Sequence, residues 1–404
     1  MHSRSFLKSG HVPTLFSAFL YFDLSFMVWV ILGPLGVAIS KSLHLDAGQK
    51  GMMVATPLLA GAALRLVGGV LVDHIGPRRT GIIGQLVVLA GLALAWFLGI
   101  HNYSQVLLLA VVLGVAGASF AVALPLASRW YPAEHQGLAL GIAGAGNSGT
   151  ALAALFAPSL AKAYGWTNVI GLATLPLLGA LVVYLVLAKD APDQPKPKRA
   201  SEYLSVLKQA DCWWLMLLYS VTFGGFSGLA SSLTIYFNAE YRLDPVIAGF
   251  FTAGCVFAGS LARPFGGSLA DRRGGVNTLI VVYAIAAAGL CAASFHLASA
   301  WLALGVLLVA MMALGAGNGA VFQLAPQRFR QEIGVITGVV GAMGGVGGFF
   351  LASTLGAAKQ LTGSFQPGFL GFAALALVAL AALAGLKNGW RARWPQIAAM
   401  PVRV

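Results

Sequence analysis

The sequence predicts an all-α, polytopic membrane protein of twelve transmembrane helices, arranged as two pseudo-symmetric six-helix halves. Three observations lead there. Charged residues make up only 9% of the 404 positions and apolar ones 58%, too few charges to cover a soluble protein of that length. Apolar windows follow one another from end to end, most of them matching the roughly 20 helical residues that cross a hydrocarbon core. Finally, Arg65-Leu-Val-Gly-Gly-Val-Leu-Val-Asp73 recurs 198 residues later as Arg263-Pro-Phe-Gly-Gly-Ser-Leu-Ala-Asp271. A match at a fixed offset makes the chain two related halves, each carrying one intramembrane arginine.

The windows fall near 14–37, 48–72, 80–99, 104–128, 137–160, 167–188, 211–238, 247–271, 276–296, 300–323, 334–358 and 366–387. This gives an N-terminal bundle over 1–188, a charged, Pro-rich linker over 189–210, and a C-terminal bundle with a basic tail over 211–404. The net charge of +13 is scattered over short loops, which excludes the contiguous patch of a nucleic-acid face. With both termini in the cytoplasm, 18 of the 25 Lys and Arg fall on cytoplasmic segments, the positive-inside pattern of an inner-membrane protein. The N-terminus carries no cleavage-type site, so the first span is expected to act as its own insertion signal. Cys212, Cys255 and Cys291 have neither metal-ligand nor disulfide spacing and are expected to pack in the core.

In the first span Asp23 stands about 14 Å into an aromatic-rich helix, where an acid faces a cavity or a partner. It is the candidate proton-coupling group, with a structural pair or a hydrated position as the alternative. In the second span Arg65 sits eight residues, about 12 Å, above Asp73, close to the bilayer midplane. Arg263 matches it in the eighth. A bare guanidinium there costs at least about 3 kcal/mol, so each arginine needs an anion, water or a polar partner. Both are too deep for comfortable snorkelling.

The loop Gly69-Val-Leu-Val-Asp73-His-Ile-Gly76-Pro-Arg78 resembles the G-x-x-x-D-x-x-G-x-R signature of the major facilitator superfamily, with a degenerate copy at Asp271-Arg272. That resemblance implies the major facilitator fold and a charged inner gate. The fourth span brings Gly114 and Gly117 for close helix contact, then Phe120. The fifth carries Gly141, Gly144, Gly146, Asn147 and Gly149. It lies inside a membrane helix with no strand before it, which rules out a phosphate loop. Small residues at this spacing let backbones approach, and Asn147 adds an amide donor. The eleventh span answers with Gly341, Gly344, Gly345, Gly347 and Gly348 near the same offset. Tyr219 and Phe223 share a face of the seventh span, and the tenth adds Asn318, Phe322 and Gln323. The tail Asn388-Gly-Trp-Arg-Ala-Arg-Trp394 suits a membrane interface.

The two glycine-rich helices, G-x-G-N-x-G in span five and G-x-x-G-G-x-G-G-F in span eleven, resemble the paired signatures of the nitrate/nitrite porter family. Arg65 and Arg263 match that family's substrate arginines. The resemblance covers essentially the whole chain and implies a site of Arg65, Arg263, Asn147, Phe120, Tyr219, Phe223 and Phe322. It calls for no cofactor or metal, and for a monomeric carrier in the lipid bilayer. Physically, two guanidinium forks can hold a small, flat, weakly hydrated oxyanion by charge-assisted bonds. The expectation is proton-coupled nitrate uptake, with nitrite also carried. Nitrate/nitrite antiport is the alternative, and a carrier of small carboxylates such as formate or oxalate stands behind it. The histidines, at 2, 11, 44, 74, 101, 135 and 296, lie outside the deep core, and no nucleophile–base pair suggests an enzyme.

Overall fold

The computed structural model describes residues 6–192, 205–329 and 333–394. Within them, twelve helices are long and apolar enough to cross a membrane, as the windows require. In order they are Val12–Trp29, Ala47–Ile75, Pro77–Leu98, Tyr103–Ser128, Leu138–Tyr164 and Trp166–Leu187 in the first half. The second half has Pro245–Arg273, Gly275–Ser294, Ala300–Ala325, Val335–Thr362 and Gln366–Trp390 following Ala210–Tyr241. Most of the linker, residues 193–204, and the last ten positions of the tail lie outside the described residues.

Four spans depart from uniform helices, the sixth by a break at Ala173 between Trp166–Leu172 and Thr174–Leu187. The first stops at Trp29 and resumes as Gly36–Leu43, because Pro34 lacks an N–H and crowds the preceding turn. The gap is closed by tight turns, Gly33 N–H to the Val30 carbonyl and Gly36 N–H to that of Gly33, both 2.9 Å. The fourth is interrupted at Ala118, between Gly117 and Ser119. The fifth tightens into a 3₁₀ turn over Ala145–Ser148, within its glycine run. The C-terminal segment also differs from the expected interfacial tail. The last helix continues to Arg393, and Trp390 and Trp394 are buried with their rings 4.6 Å apart. Trp390 Nε1 donates to Asp211 at 2.9 Å, and satisfying that indole N–H within the protein holds the segment against the bundle.

The 198-residue repeat is visible in matched contacts. Gly76 and Gly274 turn the chain between spans two and three and between spans eight and nine, with φ of 84° and 92° that only glycine adopts freely. Each N–H bonds back into its helix, to Val72 and Ala270, and each carbonyl accepts a threonine hydroxyl, from Thr80 and Thr278. Gly149 lies so close to Asp23 of span one that a Cβ would overlap the Asp23 carbonyl, and Gly347 meets Ser220 of span seven in the same way.

At the face opposite the termini the halves are closed on each other. Gly51 of span two meets Gly356 of span eleven backbone to backbone. Gln360 Oε1 accepts from the N–H groups of Ala47 and Gly48 at 3.0 and 3.4 Å, capping span two from the other half. Lys162 pairs with Asp244 at 3.2 Å. The Val246 N–H and then Lys162 hold the Asp244 carboxyl below its ordinary range, so this contact persists at neutral pH and is lost only in acid.

Because Gly149 abuts backbone, Gly149→Val is expected to cost more than the ~1–3 kcal/mol of ordinary overpacking. Gly141 has open space around its Cα, so Gly141→Ala should be tolerated. Monodisperse yield in size-exclusion chromatography checks both: Gly149→Val should be lost or aggregated and Gly141→Ala should match the wild type.

Candidate anion-binding site

Arg65 is the centre of the site. It is 1% exposed, and its guanidinium is oriented by two backbone carbonyls. Nε donates to Gly117 in span four at 2.9 Å, and Nη1 donates across the halves to Gly341 in span eleven at 2.6 Å. Nη2 is buried with no hydrogen-bond partner. Four rings surround the cation, with Cζ at 5.0 Å from the Phe223 centroid, 5.1 Å from Trp29, 5.4 Å from Phe120 and 5.8 Å from Phe26. A desolvated contact of this kind contributes about 2 kcal/mol or more but adds no opposite charge, so the rings steady the cation without neutralising it.

Arg263 approaches from the other half. Its Cζ lies 6.0 Å from the Phe120 ring, so both guanidinium groups address one phenyl. Nη1 of Arg263 is likewise buried and unpartnered. Gly144 faces this guanidinium closely enough that a Cβ would stand 3.6 Å from Cζ, the ordinary limit of contact. Three residues on, in the 3₁₀ turn, Asn147 is fully buried, and neither its amide nitrogen nor its oxygen has a partner. Among the described residues no carboxylate pairs with Arg65 or Arg263. The ionisable side chains acting on Arg65 are Tyr219 and Arg263.

The aromatic residues named from the sequence come together here. Tyr219 and Phe223 stack at 5.2 Å, Tyr219 meets Phe322 edge-on at 4.9 Å, and Phe322 lies 6.0 Å from Phe120. Gly344 makes room for Phe223 and Tyr219, as Gly146 does for Phe22 in the other half. Gly345 and Gly348 instead face Leu58 of span two, where they let spans two and eleven approach across the halves.

The sequence profile of the Major Facilitator Superfamily matches residues 15–352. The chain is 34% identical over 342 residues to a probable nitrate/nitrite transporter of Mycobacterium tuberculosis, covering 82% of this chain and 85% of that one. It is 32% identical over 345 residues to the nitrite extrusion protein of Bacillus subtilis, at 85% and 87% coverage. The chain belongs to the nitrate/nitrite porters of the major facilitator superfamily. A probable nitrate/nitrite antiporter of Thermus thermophilus is 31% identical over 401 residues, at 90% and 88% coverage. Among solved structures the porter resembles a D-xylose–proton symporter, with a TM-score of 0.76 at 14% identity over 92% of this chain and 97% of that one, a likeness of fold alone.

Asp23 of the porter is buried and accepts a hydrogen bond from Ser148 Oγ at 2.7 Å; it contacts neither arginine. The gate-loop residues lie at the terminal face. Asp73 pairs with Arg129 at 3.3 Å at the end of span four. Arg78 is tied to the end of span six, its N–H bonded to Asp190 at 2.9 Å and its Nη2 to the Leu185 carbonyl at 3.0 Å. Asp271 and Arg272 are exposed at the end of span eight. In the second half Arg328 closes on Asp211 at 2.6 Å. These contacts link helices within a half.

Sequence reasoning missed Phe26 and Trp29 as ring partners of Arg65, although Phe22, Phe26 and Trp29 recur at helical spacing around the acid that drew attention to that span. It also missed the Gly117 and Gly341 carbonyls, which no side-chain pattern announces. Since Phe120 is buried and flanked by both guanidinium groups, Phe120→Ala is expected to destabilise the fold by about 3–5 kcal/mol. A lowered midpoint of thermal unfolding in detergent is the measurement.

Proposed function

We propose that this porter carries nitrate and nitrite across the cytoplasmic membrane by alternating access, as a monomer with both termini cytoplasmic. The observation that carries the reading is the buried Arg65 and half-buried Arg263, each with a buried, bare N–H donor and each within 6.0 Å of the Phe120 ring, with no carboxylate paired to either among the described residues. Such donors require an acceptor, and a small planar monovalent oxyanion supplies several. The packed rings of Trp29, Phe120, Tyr219, Phe223 and Phe322 exclude water and limit the size of what fits. The names of the relatives point to the same anions, and the positive-inside distribution supports the orientation.

Of the two coupling modes, this geometry favours nitrate/nitrite exchange. An empty site holds two positive charges facing each other in a low dielectric, which opposes reorientation until an anion returns. Proton symport keeps one observation in its favour, the buried carboxyl of Asp23, bonded to Ser148 of the glycine turn.

Uptake of labelled nitrate into proteoliposomes separates the two. Internal nitrite is expected to accelerate uptake strongly and an imposed pH gradient to do little; the reverse result would replace exchange with symport. Arg65→Lys and Arg263→Lys should each abolish uptake at normal expression, because an ammonium cannot hold two oxygens in a fixed plane. Wild-type-like rates in either variant would remove that arginine from the site. Asp23→Asn should leave exchange intact, and an Asp23→Asn protein that exchanges poorly despite a normal melting profile would return Asp23 to the transport cycle.

A further inference from the structure

The geometry points to Asn318 as a second amide of the anion site, the C-terminal half's companion to Arg263. It deepens the nitrate/nitrite reading and rests on it.

The repeat supplies the first argument. The offset that carries Arg65 onto Arg263 also carries Gly61 onto Gly259, Gly117 onto Gly315, and Phe120 onto Asn318. The helix contacts follow the same correspondence. Gly68 lies against Ala118 of span four, and Gly266, its counterpart, lies against Ala316 of span ten, the counterpart of Ala118. Phe120 addresses Arg65 in the first half, so the equivalent position addresses Arg263 in the second. Gly319, next in the chain, meets the Arg263 backbone itself.

Burial supplies the second. Asn318 is fully buried, and neither its Nδ2 nor its Oδ1 has a hydrogen-bond partner. It stands one helical turn from Leu314 and Gly315, which face spans seven and eight, and one turn from Phe322, whose ring meets Tyr219 and Phe120. That stripe turns the amide toward the bundle interior rather than the lipid. A primary amide offers two donors and two lone pairs. Burying it unpaired costs about 1–3 kcal/mol, and an isosteric leucine would remove that cost. Asn147 shows the same combination, full burial with both amide atoms unpaired, and stands beside the Arg263-facing glycine of span five.

An oxyanion entering between the arginines accepts from Asn318 Nδ2, while Oδ1 offers an acceptor to the bare Arg263 Nη1. Asn318 thereby adds an amide to the half that otherwise contributes one arginine, the Tyr219 hydroxyl and a set of rings. Its proper name is a binding residue for the carried anion.

The test is nitrate binding to purified wild type and Asn318→Leu, followed by the nitrate-dependent shift in melting temperature and by the KM for nitrate exchange. The expected result is an anion-free melting temperature equal to or above the wild type, together with a nitrate affinity weakened about tenfold, the worth of one ~1.4 kcal/mol hydrogen bond. Unchanged affinity and KM, or a loss of turnover alone, overturns the assignment. If the leucine variant does not fold, Asn318→Ala is read by the same criteria. Absence of any nitrate response in the wild type would instead overturn the nitrate reading beneath it, whereas a normal wild-type response with an unaffected variant removes only Asn318.

Discussion

The fold is organised around an arginine held in place by neutral groups. Arg65 spends two of its nitrogens on the carbonyls of Gly117 and Gly341, which fix the plane of the guanidinium without cancelling its charge. A carboxylate in their place would orient the group equally well, but it would also be a permanent competitor for the very charge that an anion must find. The rings of Phe26, Trp29, Phe120 and Phe223 act in the same sense, since a quadrupole attracts the cation yet leaves its net charge intact. One carbonyl comes from each half, so the orientation of this side chain reports the relative position of the two bundles.

Supporting that clamp requires helices packed closer than side chains normally allow. The glycines of spans five and eleven provide this in two directions. Gly149 and Gly347 bring their spans onto the backbones of spans one and seven, and Gly345 and Gly348 bring span eleven onto span two. Without hydrophobic drive between helices in lipid, such close contact is the main source of their association. The 3₁₀ turn at Ala145–Ser148 is its by-product: a run with little side-chain packing of its own tightens, and Asn147 is delivered on the tightened turn.

Much of this was legible in the sequence because membranes impose simple rules. Span number follows from length and hydropathy, and the repeat and the two deep arginines follow from exact residue spacing and from the expense of burying charge. Each arginine was legible because it is costly; the groups that hold Arg65 were not, because carbonyls leave no trace in a residue pattern. Pro34 announces a break in span one only to a reader who weighs proline against an apolar run. The tail misled for the opposite reason. Tryptophan beside arginine reads as an interfacial anchor, and nothing local says that Asp211, at the start of span seven, will take the Trp390 N–H.

The closed face opposite the termini bears on how such a site can alternate. Among the described residues its one cross-half ion pair, Lys162–Asp244, is exposed on both sides, and pairs of that kind contribute about 0–1 kcal/mol. The Gln360 cap on span two exchanges readily for water, because the N-terminal N–H groups it serves are themselves exposed. What remains is close packing, Gly51 on Gly356, Gly249 on Ala154 and Pro158, and Gly33 on Ser231, which is short-ranged and is lost after a small separation. Among the described residues the seal is therefore made of packing and exposed polar contacts, and no buried ion pair must break to open it. The deepest cross-half contacts lie at the arginines instead, where the Coulomb term in a dry interior is far larger than at the surface. An anion shared by Arg65 and Arg263 would offset their mutual repulsion at the centre, leaving the seal opposite the termini as what the loaded carrier must part to open on that side.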